Sequence, residues 1–317
     1  MNKDVFKDNS FCKMLGIEYP VIQGGMAWIA DAGLAAAVSN AGGLGLIAAM
    51  SSNAEQLRAE IRKAQKLTDK PFGVNIMLMS PFADEVAQVV VEEGVKILTT
   101  GAGSPAKYMS AWLGAGIKVL PVVPSVAYAK KMQQSGAIAI IAEGCEAGGH
   151  IGELTTMALV PQVVDAVEIP VAAAGGIADG RGIAAAFMLG ARAVQIGTRF
   201  LVARECNIHQ NYKDLVIKAG DIETMVTGRR TGHPVRALKT EFSRSFVKIE
   251  ADPNVSNDDI AKLGSGALRA AAVDGDKAKG SFMAGQIAGL VKKEQTCAEM
   301  ISEMFNEFET VIKSVKL

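Results

Sequence analysis

The sequence predicts an α/β protein: a (β/α)8 TIM barrel with a smaller, mostly helical second domain. Strand-like and helical patterns alternate eight times in about the first 200 residues. Hydrophobic residues make up 49% of the chain and aromatics only 5%, with 33 glycines. Alanine, valine, isoleucine and glycine dominate, as expected for parallel strands covered on both faces by helices. After Phe200 the alternation stops and the chain becomes more polar. A doubly wound open sheet would have similar element boundaries, and the count of eight favours the barrel.

The predicted strands are 21–24, 44–48, 72–77, 95–99, 118–122, 137–142, 170–174 and 193–197, each a short apolar run bounded by turn residues. Helical spacing fills the gaps, for example at 32–40, 54–67, 82–93, 125–134, 156–167 and 180–189. The barrel domain is placed at 1–200. Residues 201–294 form the smaller helical cap or substrate domain, with a helix over 258–272 and an apolar, glycine-containing helix over 281–291. Gly285-Gln286-Ile287-Ala288-Gly289 in that run reads as close packing of a soluble helix. The tail 295–317 completes the barrel with an amphipathic helix that puts Met300, Ile301, Met304, Phe305, Phe308, Val311, Ile312 and Val315 on one face.

Lysine plus arginine equals aspartate plus glutamate, 33 each, so charge offers no case for nucleic acid or an anionic membrane. No apolar run approaches the roughly 20 residues needed to span a bilayer. The N-terminus reads as no secretory leader. The four cysteines are scattered without a CxxC pair, which argues against a zinc site or disulfide framework. A cytoplasmic protein is expected.

Barrel sites form at the C-terminal ends of strands. Here those ends carry glycine or small polar groups: Gln23-Gly24-Gly25-Met26-Ala27, Asn75-Ile76-Met77, Thr99-Thr100-Gly101-Ala102-Gly103, Ala174-Gly175-Gly176-Ile177-Ala178-Asp179-Gly180 and Gln195-Ile196-Gly197-Thr198-Arg199. The sixth end, Glu143-Gly144-Cys145-Glu146-Ala147-Gly148-Gly149-His150-Ile151-Gly152, holds one of only three histidines. A histidine in such a loop is a candidate acid, base or oxyanion donor. Gly175-Gly176, read as opening the seventh helix, and Gly197-Thr198 occupy the loops that bind phosphate in many barrels. Gly101-Ala102-Gly103-Ser104-Pro105-Ala106 formally satisfies GxGxxG/A, but no acid follows at the next strand end, so a Rossmann site is not indicated.

These motifs, with Phe72-Gly73-Val74-Asn75-Ile76-Met77 and Met283-Ala284-Gly285-Gln286-Ile287-Ala288-Gly289-Leu290-Val291, resemble the FMN-dependent enoyl-acyl-carrier-protein reductase II (FabK) family, within the wider nitronate monooxygenase (2-nitropropane dioxygenase-like) superfamily. The resemblance runs in order over nearly the whole chain. Glu143 stands where a nitronate monooxygenase typically has glutamine, and Ile151 where that group tends to have arginine. Both favour the reductase.

The resemblance implies FMN as cofactor, NADH or NADPH as co-substrate, and an acyl carrier protein bearing an enoyl thioester as partner. It also implies reduction of the trans-2-enoyl thioester in fatty acid elongation, and a homodimer. Matched position by position, Gly24, Gly25 and Met26 lie against the flavin, Asn75 hydrogen-bonds near its polar edge, and Glu143 accepts a hydrogen bond. Gly148 and Gly149 line the adjacent loop, Gly175, Gly176, Gly197 and Thr198 hold the phosphate with Gln195 alongside, and His150 is the catalytic donor. No metal ligand is expected. The rivals are a nitronate monooxygenase and a non-redox barrel that binds a sugar phosphate or nucleotide.

Plainer roles compete for other residues. Cys145 reads as a small packing residue, Glu146 is open, and His209 reads as exposed. Arg229, Arg230, His233 and Arg236 form either a solvated loop or a basic cluster for a nucleotide phosphate or an acidic carrier. Met26, Met77, Met79 and Met283 either fill the core or line an acyl tunnel.

Overall fold

Short, buried apolar strands that cannot shield both faces alone pack into a closed parallel ring wrapped by helices. The structure, a computed structural model, describes residues 6–50 and 52–315. In chain order the strands are β1 Val21–Gln23, β2 Gly45–Ala48, β3 Phe72–Met77, β4 Ile97–Gly101, β5 Lys118–Val123, β6 Ile140–Glu143, β7 Gly149–His150, β8 Val171–Ala174, β9 Ala193–Ile196, β10 Thr224–Thr227 and β11 Val235–Leu238. Eight of them run parallel in the order β1-β9-β8-β6-β5-β4-β3-β2, and a parallel bridge between Ile22 and Leu44 closes the ring. This is the (β/α)8 barrel. β7, β11 and β10 form a separate antiparallel sheet beside it.

Helices Ala32–Asn40 and Ala54–Leu67 and strand β3 fall where the periodicity predicts. β4 and β6 start later than predicted because the preceding residues close helix ends. The Val95 N–H donates to Val90 O at 3.0 Å, and that of Ala137 to Met132 O at 3.1 Å. Helix Ala54–Leu67 starts in a capping box of Asn53 and Gln56.

The segment 201–294, expected as a smaller helical unit, holds the helices Gln210–Lys218, Glu241–Ala251, Asn257–Gly264 and Ala267–Ala272, and also the β10–β11 hairpin. Two expectations within it are corrected. The single helix over 258–272 is two helices, broken at Ser265-Gly266, where Gly266 adopts φ 75°. The run 281–291 is not an α-helix. Phe282 O accepts from Leu238 N–H at 2.8 Å and Met283 bridges Ala237, so the chain runs extended beside β11 before a 3₁₀ turn, Gln286–Leu290. Pairing with a ready strand edge outweighs weak local helix preference in a glycine-containing run.

Helix Cys297–Ser314 closes the barrel, started by a capping box of Thr296 and Glu299. It buries Met300, Ile301, Met304, Phe305 and Phe308, with Val311 and Ile312 partly buried at the edge. Val315, expected on the same face, lies beyond the helix and is exposed. Phe305 stacks on Tyr19 with ring centroids 5.0 Å apart and meets Phe6 edge-on at 5.1 Å. Among the described residues, no helix is long and apolar enough to cross a membrane.

Phe305 is fully buried in this aromatic cluster. Phe305→Ala is therefore expected to cost about 3–5 kcal/mol, the usual range for emptying a packed aromatic site. Denaturant titration of both proteins checks this, and a midpoint unchanged from wild type would refute the docking role of the terminal helix.

Candidate active site

The C-terminal ends of the ring strands open into one cavity of about 500 Å³. The sequence-predicted site residues Gly24, Gly25, Met26, Asn75, Glu143, Gly148, Gly149, His150, Gly175, Gly176, Gln195, Gly197 and Thr198 all line it. Residues from chain positions 24 to 198 thus meet because each follows, or ends, a strand of the same ring. The methionines Met26, Met77, Met79 and Met283 line it too, joined by Met50, and Met79 is exposed at the mouth.

One side of the cavity is built of unsatisfied backbone and amide donors. Gly175 and Gly176 adopt φ 90° and 72°, a left-handed turn that glycine alone enters freely. Their N–H groups, and that of Gly197, donate to no described acceptor. Such a nest of free N–H groups suits an anion such as a phosphate. The expectation that Gly175-Gly176 opens the seventh helix is corrected. Helix Gly180–Met188 begins later, and its first N–H groups are already taken, by Glu307 for Gly180 at 2.8 Å and by Asp179 for Arg181 and Gly182 at 3.1 Å each. The loop and the short 3₁₀ turn Thr198–Val202 supply the anion donors instead. The Thr198 hydroxyl accepts from Gly285 N–H at 2.8 Å, which leaves its own proton to give. Arg199 turns away, toward Gln295 and Glu303.

Two amides face the cavity. Asn75 Oδ1 accepts from the Thr99 hydroxyl at 2.8 Å, which fixes the amide and leaves its NH₂ free. Gln195 is buried and its side chain has no hydrogen-bond partner among the described residues. A Cβ on Gly25 would lie 2.2 Å from that of Asn75, so only a residue without a side chain leaves room for the Asn75 amide here.

The two carboxylates of the 143–152 loop separate by role. Glu146 accepts from Thr156 N–H at 3.0 and 2.9 Å and from its hydroxyl at 3.0 Å, so it caps helix Thr156–Val164 from outside. Glu143, at the end of β6, pairs through its backbone with β8, but its carboxyl makes no hydrogen bond or ion pair with the described residues and it lines the cavity. Its accessible surface faces the cavity rather than bulk water, and burial pushes its carboxyl up to about 7.

His150 lies in β7, pinned when β7 pairs with β11 opposite Val235. His150 keeps accessible surface, and partial loss of solvent, then the neighbouring His233, lower its pKa below the usual imidazole value, so the neutral ring is favoured at pH 7. A neutral imidazole offers one N–H donor and one nitrogen acceptor to the cavity.

The basic cluster disperses. Arg229 pairs with exposed Glu153 at 3.1 Å. Arg230 donates to the carbonyls of Glu250, Asp252 and Val255. Buried Arg236 donates to Cys145 O at 3.0 Å and Thr224 Oγ1 at 3.2 Å. Cys145 serves the loop backbone, and exposed His209 caps helix Gln210–Lys218. Tyr128, Leu268 and Ile287 also line the cavity and were not predicted. Tyr128 sits in the first turn after β5, a signal the strand-end logic carried, whereas Leu268 and Ile287 come from the segment without ring periodicity. Among the described residues no group of three or more His, Cys, Asp or Glu is placed to hold a metal.

Residues 9–307 match the family model described as nitronate monooxygenase. The chain belongs to the nitronate monooxygenase family. It is therefore an oxidoreductase, which sets aside the non-redox barrel. It is 34% identical, over 92% of this chain and 93% of the relative, to a (3aS,4S,5R,7aS)-5-hydroxy-7a-methyl-1-oxo-octahydro-1H-indene-4-carboxyl-CoA dehydrogenase of Mycobacterium tuberculosis. A probable nitronate monooxygenase of Staphylococcus aureus is 32% identical over 98% of this chain and 99% of its own length. Among solved structures, FabK from Thermotoga maritima is 46% identical over 96% of this chain and 97% of that one, with a TM-score of 0.94.

The raised carboxyl of Glu143 has a consequence for stability. Below its ordinary value of 4.5 the group is protonated in both folded and unfolded chains, and it costs nothing. Above about 7 the folded chain carries a desolvated carboxylate. Glu143→Gln is thus expected to stabilise the cofactor-free protein at pH 8, by up to about 3 kcal/mol, with the gain fading as pH falls through this window. Thermal melts of both proteins at pH 4.5, 6 and 8 test it, and a gain independent of pH would refute it.

Proposed function

We propose that the protein is an FMN-dependent enoyl-acyl-carrier-protein reductase that uses NADH or NADPH. The observation that carries this reading is its 46% identity, over 96% of the chain, with the FabK of Thermotoga maritima. The Mycobacterium tuberculosis relative, named for a carboxyl-CoA, adds a second link to thioesters. Glu143 and Ile151 at the positions noted above favour it further.

The cavity fits FMN by its donor set. The free N–H groups of Gly175, Gly176 and Gly197 and the Thr198 hydroxyl suit the phosphate, with Gln195 alongside. Gly25 offers a surface without bulk, and Met26 a flexible apolar one, against which a planar ring can lie. The Asn75 NH₂ is a donor for its polar edge, and the Glu143 carboxyl, raised to about 7, can accept a hydrogen bond there or, when protonated, give one. FMN, when bound, would relay a hydride from the nicotinamide to Cβ of a trans-2-enoyl thioester. Negative charge then develops on the thioester oxygen and Cα takes up a proton. The His150 N–H is the donor at that place, and a positioned donor contributes about 10²–10⁴-fold. The methionines hold the acyl chain and keep water out, as flexible apolar side chains can. The partner is the enoyl-bearing acyl carrier protein. The expected homodimer loses one of its grounds, since 281–291 is not an α-helix.

One observation favours a nitronate monooxygenase as the second reading. The lowered pKa of His150 keeps it neutral, as a base that removes a proton from a nitroalkane must be.

The protein reduced anaerobically with NADH or NADPH is expected to be reoxidised rapidly by crotonyl-acyl-carrier protein, followed by flavin absorbance. Flavin that the enoyl thioester fails to reoxidise, but that a nitronate reduces from its oxidised form and oxygen then reoxidises, would hand the assignment to the monooxygenase. His150→Ala is expected to retain the flavin and slow reoxidation by the enoyl substrate about 10²–10⁴-fold. An unchanged rate would remove His150 from the chemistry.

A further inference from the structure

A second cavity, of about 510 Å³, opens on the outer side of the loop that follows β1. Ile29 lines both this cavity and the catalytic one, so a single loop separates them. We propose that the second cavity binds the adenosine half of the nicotinamide dinucleotide, whose nicotinamide reaches over this loop into the catalytic cavity. The inference rests on the reductase reading above.

Its wall carries the chemistry that half requires. Trp28, in a tight turn at φ 63°, presents an exposed indole, whereas Trp112 is fully buried. An exposed indole is a platform for a purine base. Asp31 and Glu60 bring carboxylates to the same wall. Each spends one oxygen on the start of helix Ala32–Asn40, Asp31 accepting from Leu34 N–H at 2.9 Å and Glu60 from Ala32 N–H at 2.7 Å. The second oxygens remain as acceptors for a ribose diol. Among the described residues, the one cation paired with either carboxylate is Lys63, 3.8 Å from Glu60 Oε1 and not part of the wall.

His209 completes this side. Its Nδ1 accepts from Asn211 N–H at 3.1 Å, which puts the proton of the neutral ring on Nε2 as a donor. Arg269 lines neither cavity but is next in sequence to Leu268 of the catalytic one. Its guanidinium lies 5.8 Å from the Trp28 ring centroid, paired with exposed Asp274 at 2.9 Å. It can meet a pyrophosphate crossing the loop. Two carboxylates where the ribose hydroxyls would sit also disfavour a 2′-phosphate, so NADH is preferred over NADPH.

The probe is ADP-ribose, which carries the adenosine half and cannot reduce flavin. Added to the holoenzyme, it is expected to change Trp emission saturably and to compete with NADH for flavin reduction. Trp28→Phe keeps Trp112 and is expected to lose the emission change. Trp28→Leu is expected to weaken ADP-ribose at least about tenfold, as loss of a stacking partner does. Glu60→Gln retains an amide oxygen for Ala32 N–H, guards against a folding artefact, and is expected to narrow the NADH over NADPH preference in KM. If NADH reduces the flavin but ADP-ribose neither competes nor responds to these variants, the inference falls and the reductase reading stands. If neither nucleotide reduces the flavin, the reductase reading falls and takes this inference with it.

Discussion

The ring closes at its thinnest seam, between β1 and β2, and the side chain of Gln23 holds that seam. Among the described residues one bridge, from Ile22 to Leu44 just before β2, joins the two. The Gln23 N–H donates to Leu44 O at 2.9 Å, and its buried Oε1 accepts from Leu46 N–H at 3.0 Å. Its Nε2 donates to Gly24 O, while Gly24 N–H donates to Ile196 O at 2.9 Å on the other neighbour. One neutral amide thus supplies a donor and an acceptor in a place that water does not reach. A carboxylate of the same shape would bring an unpaired charge there. The Gly24-Gly25 turn, and with it the approach to Asn75, is set by this residue.

Much of the site was legible because strand ends are a local signal with a global meaning. Once eight strands are counted, Asn75, Glu143, Gly175 and Gln195 must converge, whatever their separation in sequence. What the pattern did not carry was partner choice. The two-residue strand Gly149–His150 has no periodicity to detect, and it exists only because β11 offers it an edge. Glu146 and Glu143 look alike in sequence. Only the return of the chain to Thr156 gives one a partner and leaves the other facing the cavity. The run 281–291 is apolar enough to read as a helix, but its local preference is weak and a neighbouring strand decides otherwise.

The cavity has two kinds of wall. The barrel side offers glycine turns, free N–H groups and amides, which suit an anionic planar cofactor and say little about substrate. The opposite side, with His150, Leu268, Met283 and Ile287, comes from β7 and the segment after the ring. A neutral imidazole there can either give or take a proton, so the same frame serves thioester reduction or nitroalkane oxidation. Which one occurs is governed by what the apolar wall admits beside the ring.

Gly148 and Gly285 meet across those walls. A Cβ on the first would lie 2.6 Å from the Ala284 carbonyl carbon, and one on the second 2.6 Å from Glu146 O. The histidine loop and the strap after β11 therefore interlock backbone to backbone, like two cog teeth with no clearance. Neither can be lengthened or decorated alone, and a graft of one from a related enzyme must bring the other with it. Freedom to retune the pocket lies instead with the methionines at its rim, whose side chains can be exchanged without moving either backbone.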